Sequence, residues 1–230
     1  MASYILRAKK SLGQHFLRDK NIADRIARAA NVNSCNVVEI GPGPGSLTKS
    51  ILEHGAKKLI SIEKDSRCLK ELANLAIEYN DRLVLIEGDA LDFNLSKIKD
   101  TKLKIVANLP YNISVPLLIK YLQQINHISQ MTLMFQKEVA DRLVAQPKNP
   151  NYGRLSVMAQ SVCDVNIEFN VNKKAFFPPP KVLSTIVTFK PKAKRYTASW
   201  KSLEQVTKAA FGQRRKMLRS SLKTFMFDFD

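Results

Sequence analysis

Between residues 19 and 136, short apolar runs alternate with stretches in which apolar residues recur every three or four positions. Asp19 precedes Ile22, Ile26 and Ala30, which share one helical face, and its carboxylate suits the cap of that helix. Val37–Ile40 (V-V-E-I) predicts a buried strand, and Ser46 to His54 a helix stopped by Gly55. Leu59 to Glu63 predicts a second strand, and Leu69, Leu72, Leu75 and Ala76 a second helix. Leu83 to Glu87, Leu103 to Ala107 and Met131 to Phe135 predict three more strands, with a helix marked by Leu117, Leu118, Tyr121 and Leu122 before the last. Strands alternating with helices at this spacing predict βαβ units and a parallel sheet.

The pattern then changes. Leu155, Met158, Ala159 and Val162 predict one more helix face. Val165, Ile167, Phe169 and Val171 alternate with Asn166, Glu168, Asn170 and Asn172, the period of a half-exposed, antiparallel strand. Pro178–Pro180 interrupts the chain and Val182 to Phe189 resumes as a strand. Lys190 to Arg195 has the composition of a linker. Beyond it Trp200, Leu203, Thr207 and Ala210 lie on one helical face, and Leu218, Leu222 and Phe225 on another. The expected organisation is an α/β domain over 1–190, with a mostly parallel sheet and an antiparallel edge strand, and a small basic helical domain over 191–230.

Charge narrows the partners. The 230 residues hold 37 Lys and Arg against 20 Asp and Glu, a net charge of +17, which attracts polyanions and favours nucleic acid over a membrane surface. Lys190, Lys192, Lys194, Arg195, Lys201, Lys208, Arg214, Arg215, Lys216, Arg219 and Lys223 concentrate near the C-terminus. Arg215, Arg219 and Lys223 recur every four residues and are expected on one helix face. Lys9, Lys10, Arg18 and Lys20 form a second cluster. Both suit RNA phosphates. Cys35, Cys68 and Cys163 are scattered, and with three histidines not spaced as ligands they speak against a structural zinc and for a reducing compartment. No secretory leader or membrane span is recognisable, so a cytoplasmic protein is expected.

Candidate chemistry sits at strand ends. Gly41-Pro42-Gly43-Pro44-Gly45 follows one strand and opens a helix, where glycines permit a tight turn and close approach of main chain to a ligand. A dinucleotide fingerprint needs G-x-G-x-x-G. This loop is G-x-G-x-G, and suits a ligand without a pyrophosphate, such as S-adenosylmethionine, better than NAD. Glu63 ends the next strand, where a carboxylate can accept both ribose hydroxyls. Asp89, in Gly88-Asp89-Ala90 after the third, could accept from an adenine amine. Each acid alone also fits a surface residue or a helix cap; together they mark the ligand-binding edge of an open sheet.

Asn108-Leu109-Pro110-Tyr111 follows the fourth strand at that edge. An adenine amine is a poor nucleophile because its lone pair is delocalised. The Asn108 amide oxygen and a nearby backbone carbonyl can accept its two hydrogens and favour a pyramidal nitrogen, so that displacement at a sulfonium needs mainly positioning and electrostatics. Tyr111 can stack on the base, offsetting the cost of flipping it out.

These motifs, with Leu12-Gly13-Gln14-His15-Phe16-Leu17, Phe176 to Ser184 (F-F-P-P-P-K-V-L-S) and Ala210 to Lys216 (A-F-G-Q-R-R-K), resemble the ribosomal RNA adenine N(6),N(6)-dimethyltransferases over residues 9 to about 223. They are most similar to the bacterial small-subunit branch linked to kasugamycin resistance. The resemblance implies a Rossmann-like class I methyltransferase sheet and a cofactor shell of His15, Leu17, Gly41, Glu63, Asp89 and Asn108. It implies that Tyr111 and Phe176 sandwich the target adenine. His15 stands where many members have Asn; either can donate to the cofactor's carboxylate. The implied substrate is 16S rRNA in the small subunit or its precursor, methylated on two adjacent adenosines of the 3'-terminal hairpin by a monomer. The chain ends earlier than typical members, so a shortened C-terminal domain is expected. A 23S rRNA methyltransferase, a non-catalytic ribosome-assembly factor and an NAD-dependent oxidoreductase are the competing readings. The loop spacing disfavours the last, and the retained Asn108 and Glu63 the second.

Overall fold

The computed structural model describes residues 6–98, 102–193, 199–213 and 216–225. Seven strands form the main sheet: β2 (Asn36–Ile40), β3 (Lys58–Glu63), β4 (Leu83–Glu87), β5 (Leu103–Asn108), β6 (Ile128–Gln136), β7 (Cys163–Val171) and β9 (Ser184–Pro191), in the order β4-β3-β2-β5-β6-β9-β7. The first five in that order are parallel; β9 runs antiparallel to β6, and β7 antiparallel to β9. A separate two-stranded ribbon pairs β1 (Phe16–Leu17) with β8 (Phe176–Phe177).

Successive residues of the central strands face opposite sides of the sheet. Val38, Ile105 and Leu133 enter one core cluster, where α4 (Tyr111–Gln123) contributes Leu117, Leu118 and Tyr121. Their neighbours Val37, Val106 and Met134 enter the other, against Ile26 and Ala27 of α1 (Lys20–Ala30) and Ile51 of α2 (Ser46–Glu53). That is why these strands read as continuous apolar runs: both faces are covered. Asp19 caps α1 by accepting from the Ile22 amide at 3.2 Å. At the other end of α1, the buried Lys104 ammonium donates to the carbonyls of Ala30 (2.9 Å) and Asn31 (2.6 Å), a cation on the negative helix terminus. Burial lowers its pKa.

The chain leaves β2 towards β3 on one side and reaches β5 on the other. This topological reversal opens a cleft at the strands' carboxyl ends. It is framed by the loop into α2, by the residues between β3 and α3 (Ser66–Tyr79), and by the start of α4.

Several expectations need correction. Helix α5 (Lys137–Val144), which buries Ala140 and Leu143, was not anticipated, because it follows β6 with no turn residue between them. Val162 lies beyond α6 (Arg154–Gln160). Val182 and Leu183 are exposed and precede β9, while Lys190 and Pro191 belong to that strand rather than to a linker. Lys194 and Arg195 lie outside the described residues. The basic stripe does not occupy one helix. Helix α7 (Trp200–Gly212) ends at Gly212, α8 covers only Leu218–Ser221, and Lys223 starts a 3-10 turn. Arg219 and Lys223 therefore sit on different elements; Arg214 and Arg215 lie outside the described residues. Helix α7 leans on the larger unit through the Arg154–Glu204 ion pair (3.2 Å) and an edge-on contact of Tyr152 with Phe211. Among the described residues no helix is long and apolar enough to cross a membrane.

Candidate active site

The cleft has a volume of about 200 Å³. Its floor is the loop after β2. Gly45 adopts φ +97°, and a Cβ there would stand 2.5 Å from Leu72 Cδ2, so glycine is required both for the left-handed turn and for the approach of α3. It is absent from the lining, whereas Gly41 and Gly43 are part of it. A Cβ on Gly43 would meet the Phe16 ring at 3.0 Å, so the segment before α1 lies directly over the loop.

Glu63 is 7% exposed. One carboxylate oxygen accepts from the Gly43 amide (3.1 Å) and the other from the Asp65 amide (2.8 Å). Burial raises its pKa, and these backbone donors oppose the rise. Asp89 accepts from Lys64 Nζ (2.8 Å) and the Leu91 amide (2.9 Å), and the lysine chiefly holds its pKa down. Two carboxylates, each held by main-chain amides, thus line one side of the cleft, an acceptor set that can take the hydroxyls of a ribose and the amine of a purine edge.

Two acids here were not singled out from the sequence. Glu39 is the penultimate residue of β2, fully buried, with one oxygen accepting from Thr48 Oγ1 (2.8 Å) and Ser61 Oγ (2.9 Å). Its other oxygen is buried without a partner among the described residues, and burial pushes its pKa up to about 7. A charged residue inside an apolar strand was the available signal. Asp65 accepts from Gln14 Nε2 (3.0 Å), from Arg67 Nε (3.0 Å) and Nη2 (2.6 Å), and pairs with Lys9 at 3.6 Å. The Arg67 guanidinium first, against the opposing effect of burial, holds that carboxyl far below the usual range. Gln14 and Asp65 are 51 positions apart, and no local pattern announces the contact.

Asn108 ends β5 on the other side of the cleft. Its Nδ2 donates to the His15 carbonyl at 3.0 Å. A carbonyl can only accept, so the amide is oriented with its oxygen as the end left for another donor. Leu109 and Pro110 continue the wall, and Tyr111 starts α4 with its hydroxyl 2.6 Å from Ser184 Oγ. Burial raises the Tyr111 pKa. The His15 ring lies 5.7 Å from the Tyr111 ring and donates from Nδ1 to the Pro178 carbonyl at 2.7 Å. His15 and Leu17 line the cleft with Glu63, Asp89 and Asn108.

Phe176 is placed differently. It is 4% exposed, packs in the core with Leu17, and is not part of the lining. Of the expected RNA-binding residues, Lys9 joins the Asp65 cluster and Lys10 opens the 3-10 turn Lys10–Leu12. Lys216, Arg219 and Lys223 are exposed on the C-terminal elements.

Comparisons with known proteins agree with one another. The family described as ribosomal RNA adenine dimethylase matches residues 5–228. The ribosomal RNA small subunit methyltransferase A of Rhodospirillum rubrum is 50% identical over 225 residues, covering 97% of this chain and 78% of that protein. The protein of the same name from Wolbachia pipientis subsp. Culex pipiens is 45% identical over 230 residues, 99% of this chain and 87% of its own length. Among solved structures, a dimethyladenosine transferase from Plasmodium falciparum superposes with a TM-score of 0.82 at 36% identity, over 91% of this chain and 75% of that one. The 23S rRNA methyltransferase ErmE gives 0.72 at 25% identity, over 91% and 84%.

Proposed function

The chain belongs to the ribosomal RNA adenine dimethylase family, and from this we infer that it dimethylates the 6-amino groups of two adjacent adenosines in the 3'-terminal hairpin of 16S rRNA. The methyl donor is S-adenosylmethionine, which supplies an electrophilic methyl group on a sulfonium. The small-subunit assignment is favoured by relatives of that name at 45–50% identity, against 25% for the 23S enzyme.

The residues present fit that cofactor. Glu63 already holds the Gly43 and Asp65 amides, one per oxygen, so each oxygen keeps lone-pair capacity for a ribose hydroxyl. Asp89 is the acceptor for the adenine amine, and Gly41 and Gly43 let the main chain approach. His15 and Leu17 cover the cleft from the N-terminal side.

The observation that carries the reading is the orientation of Asn108. Its Nδ2 is engaged by the His15 carbonyl, so in a residue that lines the cleft the amide oxygen is the end left to accept. An acceptor there takes one hydrogen of the target amine while a carbonyl of the Asn108–Tyr111 turn takes the other. The nitrogen lone pair is then freed for attack, without a strong base. Tyr111 is the platform for the flipped base, its ring fixed by the Ser184 contact. Phe176 could join a sandwich only by leaving the core. We assign residues 1–190 to the catalytic unit and 191–230 to a small basic unit that binds rRNA phosphates. The protein acts as a monomer, in the cytoplasm with the ribosomes.

The test is mass spectrometry of 16S rRNA from cells lacking the protein, followed by methylation of that RNA in vitro. Dimethyladenosine absent in the cells and restored by the protein is expected. Restoration of a 23S site alone would move the chain to the sister branch, and no methylation at all would make it an assembly factor.

A further inference from the structure

The ribbon of β1 and β8 has two faces. Leu17 stands opposite Phe176, and both enter the core; Phe16 stands opposite Phe177. Directly opposed residues of an antiparallel pair project to the same side. Phe16 meets Gly43, so Phe177 shares the face of the ribbon that Phe16 presents and stands outside the residues lining the cleft, which makes this part of the ribbon a rim of the site. Phe177 is 42% exposed, and the Arg18 guanidinium lies 4.4 Å from its ring centroid. Lys173, Lys174 and Lys181, three to four positions away along the chain, are exposed as well.

This rim is tied to the acceptor side. Pro178, the residue after Phe177, accepts from the His15 ring (2.7 Å), and the His15 carbonyl accepts from Asn108 (3.0 Å). Arg18 is held by its own amide, which donates to the Ala175 carbonyl at 2.8 Å. An exposed aromatic ring with a cation over it, in a segment with exposed lysines, suits a nucleobase attached to phosphates. It suits a second copy of this chain poorly, because two bodies of net charge +17 repel.

We propose that Phe177, with Arg18 over its ring, is a stacking platform for the unpaired nucleotide flanking the target adenosine. This rests on the rRNA-methylation reading above. With two adjacent substrates, one base occupies the cleft beside Tyr111 while its neighbour rests on Phe177. The platform thereby sets which nucleotide enters and keeps the neighbour unstacked for its own turn.

The probe is an RNA hairpin with two adjacent unpaired adenosines, the flanking one replaced by 2-aminopurine, whose fluorescence is quenched on stacking. Wild type is expected to quench it. Phe177→Ala is expected to lose the quenching and about tenfold in RNA affinity, a typical result for removing one base–aromatic stack. Phe177→Trp should retain both. Phe177→Leu, which keeps apolar bulk without a π-face, should behave like the alanine variant. S-adenosylmethionine affinity, measured by calorimetry, should be unchanged in all three, which a general loss of fold would not allow. Quenching and affinity at wild-type level in Phe177→Ala, or full quenching in Phe177→Leu, overturns the platform alone. A wild-type protein that binds no hairpin overturns the platform together with the reading beneath it.

Discussion

The cofactor side of the molecule and the basic side formed by β8 and the C-terminal elements treat charge in opposite ways. At the carboxyl ends of β2 and β3, Glu39, Glu63 and Asp65 are 0%, 7% and 3% exposed and are held by hydroxyls, amides and side-chain donors. Around β8 and along the C-terminal elements, Lys173, Lys174, Lys181, Lys216, Arg219 and Lys223 stand in solvent. A small ligand bound once per turnover is recognised best by groups already fixed, because no ordering cost remains at binding. A long polyanion is recognised by many weak, screened contacts that tolerate mobility and add up. On the assignment proposed above, the first side serves the cofactor and the second the RNA. Substitutions on the two sides should therefore fail in different ways.

Asn108→Ala should give the largest effect. Turnover is expected to fall by about a hundredfold or more, the usual cost of removing one aligned transition-state hydrogen bond. RNA affinity should stay near wild type. Methyl incorporation and RNA binding measured side by side check this, and a near-normal rate would remove Asn108 from the chemistry.

Glu63→Ala comes next. It removes two hydrogen bonds to a charged acceptor, each worth about 1.5–3 kcal/mol, so S-adenosylmethionine affinity should fall on the order of a hundredfold. Calorimetry reads the change directly. Unchanged affinity with an intact fold would leave the cofactor side without its anchor.

Glu39 sharpens the contrast through pH. Its folded pKa is raised from 4.5 to about 7, so the folded state binds the proton more tightly than the unfolded chain. Stability should therefore fall as pH rises from about 4.5 to about 7 and then level off. At 1.36 kcal/mol per pH unit the loss is on the order of 3 kcal/mol. Glu39→Gln should flatten that limb in urea titrations across the window. A profile that keeps its slope would mean that Glu39 does not carry the proton.

The exposed side should give the smallest and most salt-dependent effects. Reversing Arg219 and Lys223 together should weaken RNA binding modestly. The slope of log affinity against log salt should become shallower by about 0.7–0.9 for each phosphate that is no longer neutralised. S-adenosylmethionine affinity should not move. Coincident slopes for variant and wild type would make these cations a solvated surface.

Much of this was legible from the chain alone, and the reasons are local. Strands buried on both faces must be apolar throughout, so β2, β3 and β5 stood out. A capping Asp19 and a stopping Gly55 marked helix ends, and strict alternation marked β7 as antiparallel. The cleft residues were legible because each follows the end of a strand, and in a parallel sheet those ends share one edge. Chirality and chain connectivity, rather than any particular contact, bring Gly41, Glu63, Asp89 and Asn108 together.

What only the tertiary structure decided depends on contacts between distant segments. The Gln14–Asp65 bond, the carbonyl of His15 that turns the Asn108 amide, and the hydroxyl of Ser184 on Tyr111 join residues 51, 93 and 73 positions apart. Two-residue strands are too short to show a period, so the ribbon that buries Phe176 and exposes Phe177 could not be read from F-F-P-P-P. The four-residue spacing of Arg219 and Lys223 suggested one helix, but spacing fixes a face only while the helix continues, and α8 ends at Ser221. The sequence determined which strand ends and residue types meet at the sheet edge, because βαβ connectivity leaves little choice. Which way each side chain turns there was decided by packing against partners far along the chain.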